Sequence, residues 1–356
     1  MGRSHCSFPL RFSRSLFISD SIVRRYSAGA SPATPAGPPS HAWEQLNASL
    51  AGHLISTKPI GSMCHNNTDF AECSELRSRW TSPATHYEDS SSPLAAYWSN
   101  FSCSPFQHAG DDCMIGPLAQ YTTNVTSAAD VQKGMITSED RLLLSLSRYG
   151  CTTSNSPSID RNTPTSTWYT GPALRIGAGV QGHEAQEAAH NSEPGHFIMY
   201  GHSPDISIAG GYTQGGGHGP LASKYGLAAD QVLEWKVVTT AGEILTASPE
   251  QNSDLYWALS GGGGGTYGVV LSMTVRMYPE EQTASASLVF PFDAADSRAW
   301  DVIRSFISGT LLLIHAGGTA LWVLYPGPTV EDPVTLIARP LTLPGITKDV
   351  LQAYLA

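Results

Sequence analysis

Charge is scarce in this chain. Only 14% of its 356 residues are Asp, Glu, Lys or Arg, and acids outnumber bases 30 to 20, for a formal net charge of -10. A surface so short of basic residues is unsuited to a phosphate backbone, which excludes nucleic acid as a partner. Long apolar runs are also missing. None approaches the roughly 18–20 residues that span a bilayer, and the longest, 309–316 and 319–325, have the length of buried core segments. No C-x-x-C pair occurs, and His183 and His190 are spaced too widely for the i, i+4 ligand pair of a zinc helix. No G-x-S-x-G is present, and no Gly-Lys-Ser/Thr follows the glycine run at Gly261–Gly265, so nucleophile-elbow and P-loop chemistry fall away. The remaining histidines read as loop or solvated residues, and no metal site is expected.

Glycine is plentiful, at 34 residues, and proline follows at 24, without a repeat period. The glycines concentrate between Gly201 and Tyr278. Gly210-Gly211 and Gly215-Gly216-Gly217 form one cluster, Gly261–Gly265 the other, with strand-length apolar segments between them. Glycine lets a backbone approach a ligand closely and adopt positive φ. Two clusters in one folded unit point to a long, flat or phosphorylated ligand laid against main chain.

The ends differ from this middle. Arg3, Arg11, Arg14, Arg24 and Arg25 face a single acid, Asp20, but no continuous apolar segment or cleavage site follows. Residues 1–40 are expected to be disordered or a targeting segment, a transit peptide being the alternative, with Ser31–Ser40 as linker. Four N-glycosylation sequons begin at Asn47, Asn66, Asn100 and Asn124. Six cysteines allow many pairings. The short spacings favour Cys64–Cys73 and Cys103–Cys113, leaving Cys6 and Cys151 unpaired, and short-loop disulfides suit a secreted protein.

Periodicity predicts a helix over 43–54, a loop-rich stretch over 64–112, a strand at 121–125, a helix at 127–135 and a strand at 142–146. A polar loop is expected over 150–167, then a strand at 173–176 and a helix at 183–190. After Gly201 come short strands, then strands at 230–239 and 243–247, a helix at 254–259 and a strand at 269–277. Beyond Pro279 a strand at 284–290, a helix at 296–311 and a strand at 319–325 open a second unit. Gly177–Gly182 fits G-x-G-x-x-G between a strand and a helix, the layout of a dinucleotide fingerprint. No repeated βαβ pattern surrounds it and no acid stands about 20 residues on, so it reads as a structural turn, with a nicotinamide site as the alternative.

The segment AGGYTQGGGHGPLASKYGLAADQVLEWKVV, followed by NSDLYWALSGGGGGTYGVV, resembles the FAD-binding domain of the vanillyl-alcohol-oxidase superfamily. The likeness is greatest to its berberine-bridge-enzyme branch and, within that, to fungal oxidases of the isoamyl-alcohol-oxidase type. The resemblance implies an α+β fold: a two-part FAD-binding domain of the PCMH type, then a truncated substrate domain. It implies segments 1–40, then 41–115 (a helix and disulfide-bearing loops), 116–280 (the FAD domain) and 281–356 (part of the substrate domain). It implies FAD held by Ser203, Ser207, Ile208, Ala209, Gly210, Gly211, Tyr212, Gly215 and Gly217, with Gly268 and Val270 at the adenine end and Asp230 as an orienting carboxylate. Tyr212 would face the flavin ring. The implied reaction oxidises an alcohol or related small molecule by hydride transfer to the flavin, with dioxygen as acceptor, in a monomeric protein. An inactive flavin-fold remnant or binding protein is the alternative.

The chain departs from the family at two anchors. Members that tether FAD through histidine carry it after the strand at 142–146, but no histidine lies between His108 and His183. Members that tether it through cysteine carry it in a G-x-C-P run, where this chain reads Gly201-His202-Ser203-Pro204. The FAD is therefore expected to be non-covalent, with part of its phosphate loop lost.

Overall fold

A computed structural model describes residues 40–65, 70–87, 89, 92, 100–138, 144–147, 158–160, 168–329 and 332–355. The chain divides into Met1–Trp43 and Glu44–Ala356, and the second unit holds nearly all of the described structure. The expected targeting segment lies outside the described residues.

The first helix, Ser40–Ser49, stops earlier than predicted. Gly52, at φ 84°, turns the chain, and Leu54 opens strand β1 (Leu54–Ser56). Residues 64–112 are less loop-rich than expected. Helical segments Ile60–Cys64, Phe70–Arg79 and Pro83–Tyr87 occupy this region. The weak apolar period is supplemented by a Cys64–Cys73 disulfide with Cα atoms 5.1 Å apart, which packs with Leu76 in a small core. Cys103 and Cys113 form the second predicted disulfide.

Strand β2 (Tyr121–Asn124) pairs antiparallel with β1 and parallel with β3 (Leu144–Ser147), joined by helix Ala128–Ser138. Within the expected 150–167 loop, Ser158–Asp160 forms β4 on the edge of the next sheet. That sheet has the order β4–β5–β9–β7–β8 and is antiparallel throughout, with β5 at Ala173–Gly177, β7 at Val232–Val238, β8 at Ile244–Ala247 and β9 at Val269–Arg276. One face buries Leu174, Ile176, Trp235, Val237, Met273 and Val275 against helix Gly182–His190, the Ile208–Ala209 segment and helix Ser253–Leu259. Each such side chain contributes about 1.5–3 kcal/mol by leaving water. Near its other face Val238, Val269 and Leu271 meet Val131 and Met135 of helix Ala128–Ser138.

A two-stranded pair, β6 (His196–Phe197) with β10 (Tyr278–Pro279), leads into a third sheet. There β11 (Thr283–Phe292) and β12 (Thr319–Tyr325) flank β13 (Val334–Pro344), and helices Ser297–His315 and Lys348–Leu355 pack beside them. β13 was not foreseen, and Pro340 sits inside it. The register slips on both neighbours between Ala338 and Leu341, so the proline occupies a bulge where its missing N–H costs no ladder bond. Among the described residues no helix is long and apolar enough to cross a membrane.

Candidate functional site

The two glycine-rich motifs that follow strand ends behave in opposite ways. After β5 the chain turns through Ala178–Gln181 into helix Gly182–His190. A helix N-terminus offers unpaired N–H groups to an anion, but here they are taken. Gly182 N–H donates to Ile206 O and His183 N–H to Pro204 O, both at 2.9 Å. Gln181 N–H donates to Glu184 Oε2 at 2.8 Å. Ser207 Oγ donates to Ala178 O, and Ile208 N–H to Val180 O at 3.1 Å, so the 203–208 loop is clamped over this turn. With the surrounding sheet antiparallel as well, the nicotinamide reading of Gly177–Gly182 is withdrawn.

The second motif opens from that clamp. Short strands were expected after Gly201. The chain instead makes a wide π-type turn at Ile208–Tyr212, broken at Gly210 (φ -82°, ψ -146°), and a short helix at Ala222–Tyr225. The glycines weaken strand pairing, and two side chains fold back onto the turn. Thr213 Oγ1 donates to Ile208 O at 2.6 Å and Gln214 Nε2 to Ala209 O at 3.0 Å. Ile208 and Ala209 point into the core and leave only main chain for a ligand. Gly210 and Gly211 follow immediately, and a Cβ on Gly211 would meet nothing within 4 Å.

The two glycine clusters meet in space. Gly261 N–H and Gly263 N–H both donate to Gln214 O, at 3.0 and 2.9 Å. A Cβ on Gly264 would stand 2.9 Å from Gly211 Cα, so this contact is backbone on backbone. Gly261, Gly263 and Gly265 have positive φ and open space where a side chain would be. The result is a surface of bare main chain about Gly211 and Gly261–Gly265. Gln214, which sequence reasoning passed over, is the link. Its side chain is 5% exposed and its Oε1 is a buried acceptor without a partner. The available signal was a lone amide between two glycine clusters.

The other predicted residues fall around this surface. Ser203 is exposed at the start of the clamp loop, and Ser207 spends its hydroxyl on Ala178 O. Tyr212 turns its ring toward Gly201 and Gly217, at whose Cβ positions ring atoms lie 3.0 Å away. Its hydroxyl donates to His218 O at 2.9 Å, and burial pushes this phenol up to about 12, so it acts as a neutral donor. Gly215 and Gly217 continue the turn, Gly217 at φ 74°. Gly268 enters β9 at φ 154°, where a Cβ would stand 2.6 Å from Val238 O. Val270 points its side chain into the core. β5 ends opposite Ser272, and its continuation bonds to Leu271 O, so Gly268 and the first two residues of β9 lie past the end of that neighbour. Asp230 Oδ2 accepts Leu227 N–H at 2.7 Å and shapes the turn beside Gly226.

A further polar cluster was not foreseen. Lys224 Nζ donates to Glu281 Oε1 at 2.7 Å, and Tyr225 Oη donates to the same oxygen at 2.7 Å. The Glu281 hydrogen bond raises the Lys224 ammonium, while burial first, then Glu281, raises the Tyr225 phenol. Glu280 and Glu281 border a 560 Å³ cleft with Phe197, Tyr200 and Leu221.

A flavin dinucleotide needs flat, side-chain-free main chain to lie against, and the Gly211/Gly264 surface has that character. Comparison with known proteins agrees. The family model of the FAD binding domain matches residues 166–248. The chain is 41% identical over 309 residues to the FAD-linked oxidoreductase sor8 of Hypocrea jecorina, covering 82% of this chain and 54% of that protein. It is 38% identical over 253 residues to the FAD-linked oxidoreductase sthB of Phaeosphaeria nodorum, covering 65% of this chain and 78% of that one. The crystal structure of the VAO-type flavoprotein MtVAO615 from Myceliophthora thermophila superposes with a TM-score of 0.80 at 36% identity, over 92% of this chain and 62% of that one. The chain thus spans about half the length of the first of these relatives. Shared sequence, shared fold and a glycine-lined surface of the required character lead to one assignment: the chain belongs to the VAO-type family of FAD-linked oxidoreductases, with FAD as its cofactor.

Proposed function

We propose that this chain forms the cofactor-holding part of an oxidase that removes hydrogen from an alcohol or related small molecule, with dioxygen as acceptor. The meeting of the two glycine clusters at Gly211 and Gly264 carries this reading. The bound isoalloxazine would supply hydride acceptance and reoxidation. The chain's own residues bind and orient. The main chain of Gly210–Gly217 and Gly261–Gly265 lies along the dinucleotide, Gly268–Val270 takes the adenine end past the end of β5, and Ser203 and Ser207 edge the loop that starts the cradle. Tyr212 positions that cradle through His218 O, a role that replaces direct contact with the flavin ring. Residues 116–280 make the FAD domain, 41–115 precede it with both disulfides, and 281–356 begin the substrate layer. The isoamyl-alcohol-type branch is the substrate direction this reading favours.

The flavin is held without a covalent bond. Ser203 stands where a tethering cysteine would be, and no histidine occurs from Ala109 to Gly182. Acid precipitation of the yellow holoprotein is expected to release all flavin to the supernatant. Colour remaining with the polypeptide would defeat this point. A protein that stays colourless after reconstitution with FAD would defeat the wider reading. Two short-loop disulfides favour folding along an oxidising, secretory route.

A further inference from the structure

The structure ranks the three described glycosylation sequons, and we propose that among them Asn100 is an N-glycan acceptor while Asn47 and Asn124 stay bare. The proposal rests on the secretory route inferred above.

Three sequon asparagines are described, and their surroundings differ. Asn124 lies in β2 between β1 and β3, opposite Ser147, with its N–H bonded to His53 O at 2.9 Å. Its Oδ1 is buried. A glycan on this carboxamide would have to displace the atoms that bury Oδ1 on the sheet face, so chains that carried one could not pack this sheet. Asn47 lies in helix Ser40–Ser49 and is half-buried. Its Oδ1 accepts Leu54 N–H at 3.1 Å, and Ser49 Oγ, the hydroxyl of the same sequon, donates to Leu46 O at 2.7 Å. Both groups that define the sequon are therefore engaged, the amide with the start of β1 and the hydroxyl with the helix.

Asn100 is exposed at a turn, with φ 53°, a left-handed conformation that asparagine tolerates better than most residues. Phe101, the middle residue of the sequon, is 55% exposed. Ser102 follows, and Cys103 then anchors the turn through its disulfide to Cys113. The site is thus a fixed, outward-facing loop into which a bulky, solvated group fits without displacing packed atoms. In the transfer, Asn100 Nδ2 forms a bond to the anomeric carbon of a lipid-linked oligosaccharyl pyrophosphate. The bond from that carbon to the pyrophosphate oxygen breaks, the lipid pyrophosphate leaves, and Nδ2 gives up one proton.

The test expresses the whole chain behind a cleavable secretion leader in a yeast host, so that the route is imposed rather than assumed. Secreted protein is treated with peptide N-glycosidase in ¹⁸O water and mapped by mass spectrometry without reduction. The expected map has ¹⁸O-labelled aspartate at position 100, unlabelled Asn47 and Asn124, and both disulfides. Asn100→Gln and Ser102→Ala should each lower the mass by one glycan. A bare Asn100, or a glycan on Asn124 or Asn47, in secreted protein with both disulfides intact would overturn the proposal. The map of the parent chain decides even if either variant is not secreted. A missing flavin would leave this result untouched, so the two readings fail separately.

Discussion

The turn after β5 and the turn at Ile208–Tyr212 are both glycine-bearing, and both end a piece of core. They differ in what the fold lays over them. At Gly182 and His183 the donors are filled by the carbonyls of Ile206 and Pro204. At Gly211 no segment covers the position where a side chain would stand; its carbonyl accepts Gly215 N–H at 2.9 Å, and Gly264 of the second glycine cluster packs beside it. The pattern of glycines is similar, but the 203–208 loop covers the first turn and leaves the second open. A dinucleotide motif therefore needs main chain that no other segment covers, and spacing alone does not show whether it is covered.

The strongest way to break this comparison removes the second surface altogether. Gly268→Ala places a methyl 2.6 Å from Val238 O at φ 154°. Overpacking and left-handed strain each cost about 1–3 kcal/mol. The expected outcome is a protein that loses cooperative thermal unfolding and flavin together. Gly264→Ala comes next. Its methyl meets Gly211 Cα at 2.9 Å, against backbone that cannot rotate away. A loss of about 1–3 kcal/mol should appear in urea unfolding, with flavin occupancy falling in parallel.

The decisive pair is smaller. Gly211→Ala finds no atom within 4 Å and should leave stability within about 0.5 kcal/mol, yet its methyl stands where the cofactor would lie. Flavin affinity, read by fluorescence titration, is expected to fall about tenfold, equivalent to about 1.4 kcal/mol. Gly182→Ala is the converse. Its Cβ would stand 3.3 Å from Pro204 O, so stability should drop slightly while flavin affinity stays unchanged. If the two variants exchanged these phenotypes, the assignment of open and closed turns would be reversed.

Tyr212 allows a pH test. Its phenol is raised from 10.0 to about 12 by burial. An acid held protonated by the fold stabilises it fully below the unfolded value, and that contribution is lost as pH rises from 10 toward 12. Tyr212→Phe should flatten this alkaline fall and cost about 0.5–1.5 kcal/mol at neutral pH for the lost bond to His218 O.

The smallest effect is expected at His190, whose Nδ1 bonds to the exposed Glu280 carboxylate and is raised by that bond. Its contribution is present below 6.5 and lost as pH rises through the elevated folded value. Glu280→Gln should remove this slope from melting temperatures measured across the neutral range, with little change elsewhere.

Several of these features could be read from residues in order. The strands at 173–177, 232–238 and 269–276 follow from apolar residues bounded by turns, and the helix at 182–190 from its period. The disulfide partners followed from short spacing in the chain. The FAD family followed from a segment dense in glycines whose order is unusual. Other features depended on contacts between distant residues. Whether Gly182 is free depends on Pro204 and Ile206, and whether Pro340 breaks a strand depends on bulges opposite it in two neighbours. Tyr212 faces Gly201 and Gly217 because those glycines leave room for its ring, which no local pattern announces. Gln214 matters because Gly261 and Gly263 return to its carbonyl. By itself, then, the sequence determined where main chain would be bare, because composition and spacing are local properties, and its resemblance to a known family supplied the cofactor. The tertiary structure alone decided which glycine-bearing turn is covered and which stays open, because a turn is closed off only by whichever distant segment the fold brings against it.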